Sequence, residues 1–399
     1  MITVDQALAI VLQRIEALPI ETVPLERALG RVLCEPIYAD IDLPPFNRAR
    51  MDGYAVRSSD VADAPVMLRV IGEVSAGASF PGKLNPGEAV KIFTGAPVPE
   101  GADAVQKIEV TRSTNHTVEI GEAVKPGQFI TPLASEVATG EQVLNPGLAI
   151  GPAEMAVLAS FGRQQVKVGR KPRVAVFSTG SELVDVSVKP SGAQIRNSNS
   201  YTLAAYAEQA GASVERLPTV EDTPEATRDA LLRAAEHPDI VITSGGVSMG
   251  DYDLVKAALL EIGAEIFFDK VQIRPGKPIV FAKRQQTFFF CLPGNPVSTS
   301  VTFNVFVRPA IRKMLNSTTS PASIVTAVLA HPLKDDSSRR SYLPGRLFIE
   351  GGRAFIEPLK WGGSSDLVAF VNANALIIVA EDVHEIARGQ AVEVLRIDS

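Results

Sequence analysis

The chain is short of cysteine, of histidine and of excess positive charge, and each shortage removes a class of function. Two cysteines, Cys34 and Cys291, stand far apart in 399 residues. They make neither a disulfide framework nor a thiolate metal site, and a reduced, cytoplasmic setting is expected. The four histidines (His116, His237, His331, His384) form no HExxH or H-x-H pattern, which argues against a histidine-rich zinc or iron centre. There is no Cys–His pair and no recognisable Ser–His–Asp motif, so covalent acyl transfer has little support. Lys plus Arg total 39 against 45 for Asp plus Glu, a formal net charge of −6. General nucleic-acid binding is not expected without clustered cations, and any anion site must be built locally. No clean apolar run of about 18 residues occurs, so no membrane-spanning helix is expected. The opening MITVDQALAI lacks the basic start and long apolar core of a signal peptide.

What is present is ordinary globular material: 46% apolar and 21% charged residues. At roughly 100–200 residues per domain, the length predicts two to four domains. Residues 5–18 place Leu8, Leu12, Ile15 and Leu18 on one helical face, ending near Pro19. From about 60 to 150, short β-branched or apolar runs alternate with Gly/Pro turns, the texture of an all-β module. From 172 the pattern alternates strand and helix. PRVAVFSTG, SVERLPTV, DIVITSGG and QTFFFCLPGNP read as strands. Segments 199–210, DTPEATRDALLRAAE, DYDLVKAALLEIG and VSTSVTFNVFVRPAIRKML read as helices, the last bent near Pro309. This predicts a parallel, doubly wound α/β domain. From about 317 the pattern is β again, with Gly351–Gly352 as a hairpin signal.

Ligands of a doubly wound sheet bind at the carboxyl ends of its strands. Three segments fall there: STGSEL (178–183), TSGGVSMGDYD (243–253) and LPGNPVS (292–298). Glycine lets the backbone approach a ligand, and helix N-terminal amides attract anions, so Gly245, Gly246, Ser248, Gly294 and nearby amides could cradle a phosphate. Each loop alone reads more readily as an ordinary tight turn; three on one rim favour a binding site. Neither G-x-G-x-x-G nor GxxxxGK[ST] occurs, so a dinucleotide fold or a P-loop is not supported. Glu182, Asp251 and Asp253 lie on or beside these loops. Carboxylates beside a phosphate call for a divalent cation between them, which is read as Mg²⁺, with Asp253 as ligand and Asp251 as helix cap. In DKVQIRPGKP (269–278), Lys270, Arg274 and Lys277 form a cluster of cations suited to an oxyanion, or a charged, solvated edge strand. Asp52 in an Asp-Gly turn and Thr94 in a Gly/Pro loop read from physics alone as structural.

PPFNRARMDGYAVR, FTGAPVPEGADAV, STGSEL, SNSYTL, ITSGGVSMGDYD, IRPGKP and LPGNPVS, in this order, resemble the molybdopterin molybdenumtransferases, whose eukaryotic relative is the gephyrin C-terminal domain. The resemblance covers nearly the whole chain. It implies a discontinuous linking region (1–45 and 147–170), a β-rich module (46–146), a doubly wound α/β molybdopterin-binding domain (171–316) and a C-terminal β-barrel domain (317–399). It implies adenylylated molybdopterin and molybdate as substrates, Mg²⁺ as cofactor, release of AMP, and a homodimer with the active site between subunits. The adenylyltransferase and molybdoenzyme chaperones are the further partners it implies. By the family's motifs, the catalytic positions are Asp52, Thr94, Glu182, Asp222, Asp253, Lys270 and Arg274. Substrate contacts fall on Ser178, Thr179, Gly180, Ser244, Gly245, Gly246, Ser248, Lys277, Pro293, Gly294, Asn295 and Ser364, with Arg339 or Arg340. The metal ligands are Glu182 and Asp253. Arg274 stands where many relatives carry lysine. The arginines and Gly-Glu-Asp that usually follow the PGQ turn are absent from PGQFITPLASEVATGEQVL. The competing readings are a molybdopterin adenylyltransferase, a paralogue handling tungstate, or a non-enzymatic scaffold.

Overall fold

The structure is a computed structural model that describes residues 1–246, 254–318 and 324–397. The chain divides into two compact units, one of Met1–Glu35, Pro146–Gly151 and Gln165–Ser399, the other of Pro36–Asn145 and Pro152–Gln164.

The first helix, α1 (Val4–Arg14), begins where Thr3 and Gln6 form a reciprocal capping box. It starts one residue before the expected point and stops four short of it. Its buried stripe is Val4, Ala7 and Val11, continued by Ile15; Leu8 packs at the margin. The expected Leu8–Leu12 face is therefore rotated by about one position. After α1, strand β1 (Ile20–Pro24) leaves the helix, and its partner comes from much later in the chain.

The second unit carries β2 (Gly53–Val56), β3 (Val66–Val74), β4 (Glu88–Ile92), β5 (Ala104–Lys107), β6 (Thr111–Thr114) and β7 (Thr117–Ile120) in one sheet, ordered β5-β2-β4-β3-β7-β6. Strand β2 is wholly buried. Tyr54 and Val56 pack into one core, and the alternate Ala55 packs into another with Val90, Ile92 and Val105.

Back in the first unit, β8 (Gln165–Gly169) pairs antiparallel with β1. The α/β part then follows as β9 (Arg173–Ser178), α2 (Asn199–Gln209), β10 (Ser213–Arg216), α3 (Pro224–Ala234), β11 (Ile240–Ser244), α4 (Leu254–Glu261), β12 (Glu265–Lys270), β13 (Ile273–Arg274), β14 (Pro278–Arg284), β15 (Thr287–Leu292), α5 (Pro296–Thr302) and α6 (Arg308–Met314). The main sheet runs β10-β9-β11-β15-β14-β12. Its first four strands are parallel, whereas β14 runs antiparallel to both its neighbours, β15 and β12. The sheet is thus mixed rather than parallel throughout. The reason is a tight hairpin between β14 and β15, with Gln285 at φ 53°, that no sequence period distinguishes from a crossover. Alternation still sorts the strands as in any doubly wound sheet. Val174, Val176, Ile240, Ile242, Phe288 and Phe290 face α1, α2 and α6. Ala175, Phe177, Val241 and Phe289 face α3 and α4.

Two other expectations shift. Strand β10 stops at Arg216 because Pro218 cannot extend a ladder; the chain rejoins β9 only at Val220, whose N–H donates to the Ser178 carbonyl. The last helix is broken not at Pro309 itself but just before it, by a π-helical turn over Phe303–Val307 that joins α5 to α6.

At the C-terminus, β16 (Ile324–Leu329), β17 (Arg340–Glu350), β18 (Arg353–Pro358), the short helix α7 (Leu367–Phe370), β19 (Ala375–Val379) and β20 (Ala391–Arg396) follow. The strands close into a five-stranded barrel, β17-β18-β16-β20-β19 and back to β17. The Gly351–Gly352 turn does join β17 to β18. Strand β13 adds in parallel to β17, pairing Arg274 with Ser341, so the cation segment is stitched to the barrel.

Phe281 sits at the centre of the first core, fully buried and in ring contact with Phe267, Phe268, Phe288 and Phe290. Phe281→Ala is expected to destabilise this unit by about 3–5 kcal/mol, read as a lower midpoint in denaturant unfolding. A loss below about 1 kcal/mol would show that the cluster repacks.

Candidate active site

Parallel strands β9, β11 and β15 end side by side, and the loops leaving them meet. Together with Asp222 and Ser365 they line a cleft of about 370 Å³, which includes Thr179, Glu182, Asn199, Ser244, Gly245, Gly246, Gly294 and Asn295. The backbones approach closely: the Gly245 N–H donates to the Leu292 carbonyl at 3.1 Å. A Cβ on Gly245 would lie 2.4 Å from the Thr179 carbonyl oxygen, and Gly245 and Gly246 both have positive φ (95° and 66°). The 178–183 loop differs from the other two. It opens onto a small parallel pair, Leu183–Val184 with Ile195–Arg196, before α2 begins.

The floor of the cleft is polar and tightly wired. Ser178 and Ser244 are buried, their hydroxyls 3.3 Å apart. Asn197 accepts from the Ser178 hydroxyl at 3.0 Å and donates to Thr219 at 2.9 Å. Asn199 donates to the Ser244 hydroxyl at 3.0 Å and to the Gly294 carbonyl at 2.7 Å. Thr179 is 4% exposed, and its hydroxyl has no partner among the described residues. Asn197 and Asn199 were not singled out from the sequence. Their only signal is SNSYTL itself, with Asn199 at the expected start of a helix.

The rim carries charge of both signs. Glu182 and Asp222 are exposed on the cleft, and neither forms an ion pair among the described residues. The antiparallel registers Val280↔Cys291 and Lys270↔Pro278 set the Lys270–Pro278 segment beside the end of β15, on the same rim. The cations there have different surroundings. Lys270 is exposed. Lys277 is half-buried and without an ion pair among the described residues. Arg274 pairs with Asp335, whose side chain is 3% exposed. Arg339 donates to the Ile273 carbonyl at 3.0 Å. Arg340 is turned to Asp5 of α1, at 2.6 and 3.0 Å, and to Glu381; the hydrogen bond from Arg340 holds the Asp5 carboxyl below its ordinary range. Ser364 accepts from Asn295 through its hydroxyl (2.8 Å) and from the Val297 N–H through its carbonyl (3.0 Å), anchoring the start of α5. Pro293 is buried behind that anchor, its carbonyl taken by the Thr299 hydroxyl, and Gly180 donates its N–H to Val220 at 3.1 Å. Ser248 and Asp253 lie outside the described residues.

Asp52 and Thr94 are brought together in the other unit. The Thr94 N–H and hydroxyl both donate to Asp52 Oδ1, each at 2.7 Å. Gly53 beside it is obligatory, because a Cβ there would lie 1.9 Å from the Gln106 carbonyl oxygen. The two Thr94 bonds, the backbone one first, hold the Asp52 carboxyl below its ordinary value. A carboxylate with a lowered folded-state pKa adds stability above its ordinary range, and that contribution is lost as pH falls through the lowered value. Thr94→Ala is expected to move the Asp52 pKa part of the way back up, as followed by NMR titration of the carboxyl carbon. An unmoved titration would mean that the hydroxyl contributes nothing.

The chemistry of the donor set fits Mg²⁺, which is bound by one or two carboxylates and otherwise by water and phosphate oxygens. Glu182 and Asp222, unpaired on one cleft, are such carboxylates. Among the described residues no group of three or more His, Cys, Asp or Glu forms a metal site of the protein alone. No helix among the described residues is long and apolar enough to cross a membrane.

Three family models match the chain: "MoeA N-terminal region (domain I and II)" over residues 2–162, "Probable molybdopterin binding domain" over 175–313, and "MoeA C-terminal region (domain IV)" over 326–397. The molybdopterin molybdenumtransferase of a Nostoc species is 39% identical over 388 residues, covering 94% of this chain and 88% of that protein. That of Haemophilus influenzae is 35% identical over 401 residues, covering 99% and 98%. The crystal structure of the molybdopterin biosynthesis moeA protein from Pyrococcus horikoshii OT3 superposes with a TM-score of 0.84 at 30% identity, covering 99% of this chain and 100% of that one. On this identity along nearly the full length, and on the shared architecture, the chain belongs to the family of molybdopterin molybdenumtransferase enzymes.

Proposed function

We propose that this protein acts in molybdenum-cofactor biosynthesis by inserting molybdenum from molybdate into adenylylated molybdopterin, with release of AMP. The observation that supports this most is one rim of the sheet: glycine-rich turns and two carboxylates without ion pairs among the described residues line a cleft there, and the cation segment runs beside the neighbouring strand end. A chain with two cysteines has no thiolate pair of its own for the metal, consistent with a dithiolene supplied by the pterin.

Cleaving a phosphoanhydride requires neutralised phosphate charge and a fixed, in-line geometry. The Gly246 amide and the Thr179 hydroxyl, which has no partner among the described residues, hold phosphate oxygens. Glu182 and Asp253, with Asp222 beside Glu182 on the cleft, would hold Mg²⁺, which would offset the charge on the phosphates. Lys277 and Lys270 draw in the molybdate oxyanion. Arg274, Asp335 and Ser364 fix the cation segment and the α5 start around them. The protein works as a homodimer in which the Asp52–Thr94 turn of one subunit completes the cleft of the other.

The test mixes protein, adenylylated molybdopterin, Mg²⁺ and either molybdate or tungstate, and measures AMP. AMP release that depends on molybdate is the expected result. AMP formed without any oxyanion, or adenylylation of molybdopterin from ATP instead, would reject it. Asp253→Ala is expected to lower AMP release by about a thousandfold with the unfolding midpoint unchanged; unaltered release would remove Asp253 from the site.

A further inference from the structure

We propose that Asn199 is a positioning residue that clamps two of the three rim loops into one rigid wall of the cleft. Its carboxamide sits at the first position of α2, half-buried and on the cleft surface. One N–H donates to the Ser244 hydroxyl at the end of β11, the other to the Gly294 carbonyl in the loop after β15. A carbonyl only accepts, so Gly294 fixes which end of the amide points at it. Both amide protons are thereby spent on holding loops rather than on a ligand.

The clamp is placed where the sheet itself stops holding the loops. The last ladder contact between them is Gly245 N–H to Leu292 O. A Cβ on Gly294 would lie 3.6 Å from the Gly245 Cα, so the two backbones run in near contact there. Asn199 reaches across from a third element at that point. The neighbouring Asn197 does the corresponding task one layer deeper, joining Ser178, Thr219 and the Ser200 N–H. Two asparagines two residues apart thus tie together the ends of β9, β11 and β15 and the segment leading to Asp222. Amide side chains suit this because one group bonds two acceptors with a fixed angle between them.

The inference deepens the functional reading, and the experiment separates the two. Asn199→Ala removes the clamp. Asn199→Asp keeps its size but, ionised, donates to neither acceptor. Hydrogen exchange on the whole protein reads loop opening directly. In both variants the amides of Ser244, Gly245, Gly246, Leu292, Gly294 and Asn295 are expected to exchange about tenfold faster, the loss of one to two modest hydrogen bonds, while β9 and β14 exchange as before. AMP release is expected to lose about tenfold in kcat/KM, chiefly in kcat, because substrate still binds but is held less well in line. Wild-type exchange in both variants overturns the clamp. So does Asn199→Asp behaving as wild type while Asn199→Ala does not, since then only bulk matters. Faster loop exchange in a protein that never releases AMP upholds the clamp and rejects the reaction instead.

Discussion

Gly245→Ala is expected to lower AMP release by more than about a hundredfold and to destabilise the first unit by about 2–4 kcal/mol. Two independent penalties act. The residue has φ 95°, a region that costs a residue with a Cβ about 1–3 kcal/mol. The added Cβ also lands 2.4 Å from the Thr179 carbonyl oxygen, a backbone atom that cannot swing aside as a side chain would. One loop must move off the other by most of an ångström, which opens the Gly245–Leu292 bond and displaces the amides facing the cleft. A displacement of about 1 Å at a site that works by positioning costs about a hundredfold in rate. Gly263, after α4, is the control: φ is 78°, and nothing lies within 4 Å of its missing Cβ. Gly263→Ala pays the conformational penalty alone, about 1 kcal/mol, and should keep full activity. The pair is measured by denaturant unfolding and initial rates of AMP release. Equal behaviour of the two variants would show that the contact with Thr179 yields freely.

This glycine also shows what could be read without coordinates. An apolar run ending in Ser-Gly-Gly reports a strand entering a tight loop, and three such endings in an alternating pattern report one rim, because the carboxyl ends of parallel strands share an edge. What sequence reports poorly is pairing at long range. Strand β14 is apolar and buried on both faces from Ile279 to Ala282, so its pattern cannot tell antiparallel from parallel. The barrel's hairpin is visible in Gly351–Gly352, but its closure rests on β17 meeting β19. Arg340 looks like a ligand cation until Asp5, at the other end of the chain, is found against it. Helix α1 is rotated from its expected face because Thr3 and Gln6 set its start, and leucines at the margin outweigh a smaller Val and Ala stripe in any count of apolar positions.

The cation segment makes the same point in functional terms, since Lys277 and Arg274 look alike in sequence and are expected to fail in opposite ways. Lys277 is half-buried at the start of β14 with no ion pair among the described residues. An ammonium there has lost part of its hydration without recovering it from the protein, so an arriving oxyanion gains more from it than from a solvated lysine. Lys277→Met keeps the stem and removes the charge. Stability should stay within about 0.5 kcal/mol or rise, because a partly desolvated charge is gone. The molybdate concentration for half-maximal AMP release should increase by about 10–100-fold, the worth of one charged hydrogen bond of about 1.5–3 kcal/mol, and its salt dependence should weaken. Arg274→Met is expected to do the reverse. It strands Asp335, 3% exposed and with one carboxylate oxygen already unpartnered among the described residues, and so costs about 2 kcal/mol of stability with a smaller effect on molybdate. Arg274→Lys should restore most of that stability, since an ammonium can answer a single carboxylate oxygen. A Lys277→Met titration that superimposes on wild type would remove the lysine from the oxyanion site and leave the rim without its unpaired, half-buried cation.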